Sequence, residues 1–341
     1  MFLNNHNRRL KRTLNVIKSD LDRAESEADL IRLVKTFQNN VRRSTFDNRL
    51  IYIFMGLCVL VSAFILYLDD NNDSAIFPIV LGGLSYWIVI RREDIIHNLS
   101  DRIFQKDVMR DNNLKLEKIN GPKYAEELAD QFLDLDRGNY SREIKCLYKG
   151  KCTGREHSFD ISLFHLHYVN TQRRGSKRKK ARYDLYGIIV PFGFVKDLMI
   201  ARNLHEEILN SFGNIKNGYD EYHTTLANFN MRYRVFAKSK MTAAKFLGPV
   251  VVEAIERISW YISDMSYDFN AQGDLCLSFK DKEVIFPERQ YGLEHPTEFI
   301  DEIKQHNHMD KLHRALTHIH TLMKHADSNF ESPVRNNSIW S

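Results

Sequence analysis

Seven of the ten residues in Arg173-Arg174-Gly175-Ser176-Lys177-Arg178-Lys179-Lys180-Ala181-Arg182 are basic, and none is acidic. Such a cluster can hold anionic lipid headgroups at about 1 kcal/mol per base near a surface. Nucleic-acid phosphates are a second possible ligand. No basic–aromatic ribonucleoprotein pattern accompanies the run, so lipid headgroups or an acidic partner are the expected ligands of Arg173, Arg174, Lys177, Arg178, Lys179, Lys180 and Arg182, ahead of nucleic acid. A solvated loop is the plain alternative. The run lies between two strand-like stretches and is expected to be an exposed loop.

Histidine is the second chemical signal. His306, His308, His313, His318, His320 and His325 fall within twenty residues of one expected helix. No two are four apart, the spacing that places paired ligands on one helical turn. His306, His313 and His320 are seven apart, about 10 Å per step along the axis, too far for one ion with ~2 Å bonds. Several of these histidines charging together near pH 6 is the remaining special reading. His165 and His167 alternate on a strand and can share a face. Cys146 and Cys152 have the wrong spacing for a C-x-x-C pair. Gly150-Lys151-Cys152-Thr153-Gly154 lacks the spaced glycine of a phosphate loop, and His205-Glu206-Glu207 lacks the second histidine of a zincin. No catalytic residue, metal or cofactor is therefore expected, and whether the chain is an enzyme stays open.

The elements that would carry these residues begin with two apolar runs. Leu50–Leu68 is nineteen residues without a charge, and Ala75–Ile90 is sixteen. At 1.5 Å per residue they reach about 28 and 24 Å, against a hydrocarbon core of ~30 Å. Pro78 suits a first helical turn, and Gly82 and Gly83 allow a close helix pair. Tyr52, Tyr67, Tyr86 and Trp87 lie near the ends, where aromatic rings favour the interface. Forty-nine largely polar residues precede the first run, so it is not read as a cleaved signal peptide. Residues 1–49 hold eleven bases and six acids; the other 292 residues are balanced at 38 and 38. Arg42, Arg43 and Arg49 precede the first run, Arg91 and Arg92 follow the second, and the connector 69–74 has no base. The positive-inside rule then places both termini in the cytoplasm of a multi-pass inner-membrane protein.

Leu10, Leu14, Ile17, Leu21, Ala24, Ala28 and Ile31 follow a heptad. After the second run, Ile96, Leu99, Ile103, Val108 and Leu114 suggest another amphipathic helix, ending near Gly121-Pro122. The two are expected to pair as an intramolecular antiparallel coiled coil. The alternative is a homo-oligomer or protein partner through Leu10, Leu14, Ile17 and Leu21.

Beyond Pro122 the pattern is α+β. A helix is expected over Pro122–Leu135, then strands at Ile144–Tyr148, Ser158–Val169, Tyr183–Phe192 and Arg232–Ala237. A helix over Pro249–Ile262 follows, then the hairpin Ser266–Phe269/Leu275–Phe279, an edge strand at Val284–Phe286 and a last helix over Thr297–Lys324. Antiparallel pairing dominates.

Three stretches carry a resemblance. Phe159–Leu163 leads to Asp184–Phe192; Tyr233–Ala237 is followed by Ala243–Leu247 and the Pro249 helix; Leu275–Phe279 closes on Ile285–Pro287. With two upstream spans, this order resembles a family of bacterial two-span membrane proteins catalogued as domain of unknown function 3137. The resemblance implies a membrane-anchored cytosolic domain and brings no activity, cofactor or catalytic residue with it. The basic loop and the histidine-rich last helix depart from that pattern.

The expected architecture is an amphipathic helix over 1–49, a transmembrane hairpin over 50–90 (spans 50–68 and 75–90), and a cytosolic stalk helix over 91–121. A mainly antiparallel-sheet α+β domain over 122–326 and a disordered tail over 327–341 complete it. The expected role is a non-enzymatic scaffold, adaptor or envelope-associated factor. The alternatives are a membrane-tethered enzyme or a subunit of an oligomeric transport or secretion assembly.

Overall fold

The structure is a computed structural model. It describes residues 2–41, 43–68, 73–154, 157–174, 177–202 and 218–329, by backbone alone at 2–4, 68, 73–75, 172–174, 177–178 and 328–329. The chain forms two compact units. Residues 1–111 and 288–308 make one, and residues 112–287 and 309–341 make the other. Residues 288–308, inside the expected 122–326 segment, thus cluster with the N-terminal unit.

The first unit is helical. The heptad stripe does not form one helix: α1 (Phe2–Leu21) and α2 (Glu27–Asn40) are separate. A capping box makes the break, because Ser26 Oγ accepts the Asp29 N–H while the Asp29 carboxylate accepts the Ser26 N–H. Leu10, Leu14, Ile17 and Leu21 of α1 and Leu30, Val34 and Phe37 of α2 are buried within this unit. α3 spans Arg49–Leu68, and α4 runs unbroken for 39 residues, Asp73–Asp111. The expected second span is therefore the first half of a longer helix. α4 also stops ten residues before the expected Gly121 break, where Asn113 adopts a positive φ of 55°. Ile96, Leu99, Ile103 and Val108 in its second half are buried. Lys106 Nζ donates to the Leu21 carbonyl at 2.6 Å, closing the C-terminus of α1. α1 and α2 both contact α4, and α9 (Pro296–Lys304) covers α2.

Among the described residues one helix, Arg49–Tyr67, is long and apolar enough to cross a membrane, with mean hydropathy 2.5. The run in α4 is shorter and continues into charged residues, so a pair of independent spans is not shown; what stands is two helices packed on each other. A Cβ at Gly82 would lie 3.7 Å from Cys58 Cβ, so Gly82 is where they come close. Gly83 has nothing within 4 Å.

The second unit is α+β. Nine strands form one antiparallel sheet in the order β1-β2-β3-β4-β9-β8-β5-β7-β6. They are β1 Lys115–Leu116, β2 Ser141–Thr153, β3 Ser158–Arg174, β4 Lys177–Pro191, β5 Leu198–Arg202, β6 Asp220–Tyr222, β7 Tyr233–Ala237, β8 Ser266–Phe269 and β9 Asp274–Phe279. The β8–β9 hairpin pairs as expected, closed by Gly273 at φ +95° and by Asn270 Oδ1, which accepts the Gly273 and Asp274 N–H groups. α5 (Gly121–Gln131) and a 3-10 turn over Leu133–Leu135 pack on one face through Leu128, Phe132, Leu135, Phe164 and Leu166.

α6 (Ala227–Arg232), α7 (Lys240–Phe246) and α8 (Pro249–Ile258) follow the sheet's outer strands, and α10 spans Asp310–Asn329. On β8, Tyr267 meets α10 while its neighbour Asp268 meets the 3-10 turn, so helices cover both faces.

Three further expectations change. The last helix is two, since 305–309 is irregular and α9 and α10 belong to different units. Val284–Phe286 is no edge strand, because Asp281 caps a 3-10 turn at Lys282–Val284. Residues 327–329 continue α10, and the rest of the expected tail lies outside the described residues.

Candidate functional site

Two surfaces stand out for what they expose. The first is apolar. Leu57, Val59, Leu60 and Phe64 of α3, and Phe77, Ile79, Val80, Leu84 and Trp87 of α4, are all more than half exposed. Among the described residues of these stretches a narrow seam is buried, at Cys58, Ser62, Pro78 and Val89. Soluble folds rarely present contiguous apolar patches beyond a few hundred Å². Polar groups end this surface abruptly. The Arg91 guanidinium lies 4.3 Å over the Trp87 ring, and Arg92 donates to Asn48 Oδ1 at 2.8 Å. Residues 43–48, before α3, are tied to α1 by two reciprocal Asn7–Asp47 hydrogen bonds of 2.8 and 3.0 Å.

The second surface is basic. β3 and β4 do not end where sequence periodicity places them. Their antiparallel ladder continues through Val169↔Arg182, Thr171↔Lys180, Gln172↔Lys179, Arg173↔Arg178 and Arg174↔Lys177. The expected loop is thus a two-stranded ribbon, with Gly175 and Ser176 outside the described residues. The register sets base opposite base at its last two pairs. Like charges directly opposed weaken a ladder, and a bound polyanion removes that repulsion. Lys179, Lys180 and Arg182 are exposed, and Lys180 Nζ lies 3.7 Å over the Tyr140 ring. Tyr140 was not singled out from sequence; it is fixed only by the register of β2 against β3. The side chains of Arg173, Arg174, Lys177 and Arg178 lie outside the described residues.

The other sequence candidates are scattered. His165 Nε2 and His167 Nδ1 lie 2.8 and 2.9 Å from the same oxygen of Asp184, across the β3–β4 ladder. Burial works to raise the Asp184 carboxyl, but the two histidine hydrogen bonds outweigh it and hold it below the usual range. His165 stacks on Tyr186 at 4.6 Å. Among the described residues no three His, Cys, Asp or Glu side chains form a metal-holding set. Cys152 Sγ is 3.4 Å from His320 Nε2, but burial raises its thiol, the opposite of nucleophile activation. Burial also pushes Cys146 up to about 11. His306 and His308 meet edge-on at 4.4 Å between α9 and α10, while His313 and His318 line a cavity between α8 and α10. His205-Glu206-Glu207 lies outside the described residues.

One buried polar cluster escaped sequence reading altogether. Asp134 accepts from the Ser278 hydroxyl and from Arg137, and its N–H donates to Asp268 at 2.9 Å. Burial, then the charge of Asp134, pushes the Asp268 carboxyl up to about 7. Asp134, Asp268 and Ser278 are 2% exposed or less, so the cluster ties the 3-10 turn to β8 and β9 rather than meeting a substrate. Compared with known proteins, the chain matches no family model, no curated protein and no solved structure.

Proposed function

We propose that the chain is a membrane-anchored scaffold or adaptor. In this reading α3 and the first half of α4 span the bilayer as a hairpin. The antiparallel-sheet unit lies on the cytosolic side, and its basic ribbon engages anionic lipid headgroups. The observation that carries the reading is the outward apolar surface of both helices. Leaving a large apolar side chain in water rather than buried costs roughly 1.5–3 kcal/mol, and the two helices expose more than a dozen. Arg43 and Arg49 on one side and Arg91 and Arg92 on the other support a hairpin with both ends cytoplasmic. The resemblance to the two-span family supports the same layout. Tethering supports lipid as the ribbon's ligand, since the anchor raises the local concentration of headgroups.

A second reading has one observation behind it: a two-stranded basic ribbon also fits the major groove of a duplex. Alkaline carbonate extraction tests the anchor, and release of the intact chain overturns it. Amine labelling of Lys179 and Lys180 in nanodiscs tests the ligand. Protection by phosphatidylglycerol and not by phosphatidylcholine is expected. Protection by duplex nucleic acid alone favours the second reading.

A further inference from the structure

Helices packed on one another usually meet through apolar stripes. Where α10 lines a cavity beside α8, the stripe it presents is polar instead: Asp310, His313, Arg314, Thr317, His318 and Thr321, spaced at three and four residues. From the α8 side come Ala254, Arg257 and Ile258, with Tyr261 just beyond the helix. Between them lies a cavity of about 510 Å³, within the ~300–1,000 Å³ of small-molecule sites. We propose that this cavity binds a small organic monoanion, its oxyanion head held by Arg314 and His318 and its apolar body resting on Ile258 and Tyr261.

Arg257 is engaged by Glu253 at 2.5 Å, whereas Arg314 has no ion pair among the described residues. Its guanidinium carbon lies 4.3 Å over the Tyr261 ring. Stacking uses the face of the guanidinium and leaves its in-plane N–H groups for an oxyanion. His318 is only 6% exposed, yet its ring lines the cavity. The Tyr267 hydroxyl is 2.9 Å from His318 Nε2. Tyr267 is fully buried, and a buried hydroxyl must donate. Nε2 therefore accepts, and the ring proton sits on Nδ1, a donor for a ligand. Burial holds the imidazole down at about 3, so it is neutral at physiological pH and its burial leaves no stranded charge. Asp310, one turn before Arg314, disfavours a second negative charge and selects a singly charged head.

The test uses the full chain in mild detergent and fluorine NMR of 4-fluorobenzoate, with 4-fluorobenzamide as the neutral probe. Saturable broadening of the benzoate alone is expected. Arg314→Gln, at an exposed position, should weaken it at least tenfold, and Tyr261→Leu severalfold. Lys180→Gln, on the basic ribbon, should leave it unchanged. Equal binding of the amide, wild-type affinity in Arg314→Gln, or no saturation at millimolar benzoate overturns the proposal. None of these outcomes depends on the membrane reading, which carbonate extraction tests separately.

Discussion

α4 is one helix with two kinds of surface. From Ile76 to Ile90 most of its apolar side chains are exposed, Pro78 and Val89 being buried; from Ile96 to Val108 they are buried against α1 and α2 and their neighbours in the same unit. Both halves are α-helical, so the difference lies in what surrounds each. The second half has the alternating character of a helix that meets protein on one side and water on the other. The first half has no water-preferring side at all. In the proposed reading, this one continuous rod crosses from one solvent into another, with Arg91 and Arg92 at the change.

The sharpest way to break this comparison is to place the same charge in each half. Ile103→Asp buries an unpaired carboxylate and should destabilise the first unit by about 4 kcal/mol or more, read as a large fall in Tm in detergent. Val80→Asp should leave that Tm nearly unchanged and instead cost ~3 kcal/mol of insertion, read by glycosylation mapping of the connector. Equal effects in both assays would remove the distinction between the halves.

Acid titration sharpens it further. Burial, then the charge of Asp111, pushes Asp107 up to about 7, opposed by Asn307 and Arg110. Below pH 4 the carboxyl is neutral folded and unfolded. Between about 4 and 7 it ionises only when unfolded, so stability falls as pH rises and levels off above 7. Asp107→Asn should flatten that slope by an amount calorimetry can resolve. Residues 75–90 hold no carboxyl, so membrane retention should not change over the same range. The smallest effect belongs to the ribbon. Lys179→Gln or Lys180→Gln should each weaken binding to phosphatidylglycerol nanodiscs by about 1 kcal/mol, with the pair close to additive by footprinting.

Much of this was legible in the residues. The apolar runs, the β8–β9 turn around Gly273 and the helix starts at Pro122 and Pro249 carry their own local physics. The break at Ser26 was legible too, as a capping box, but Ala24 and Ala28 kept the heptad spacing across it and hid it. Leu198–Arg202 was missed because a short, fully buried strand has no period to detect. The ribbon was missed because lysine and arginine are poor strand formers on a local scale, and only pairing against β4 carries β3 past Val169. Asp134 with Asp268, and Tyr267 with His318, meet across distances of 134 and 51 residues. No local spacing encodes such meetings.

Each of the two units is built from two separate stretches of the chain. Gln38 donates to Thr297 Oγ1 at 3.2 Å within the helical unit, while residues 112–287, between them in sequence, belong to the unit that holds the sheet. During translation, α2 must wait for α9, and the sheet must wait for α10. A stalled nascent chain ending near 287 would carry two half-built folds with their apolar faces uncovered. Residues 288–329 complete both units in turn, and no single proteolytic nick can free either unit whole.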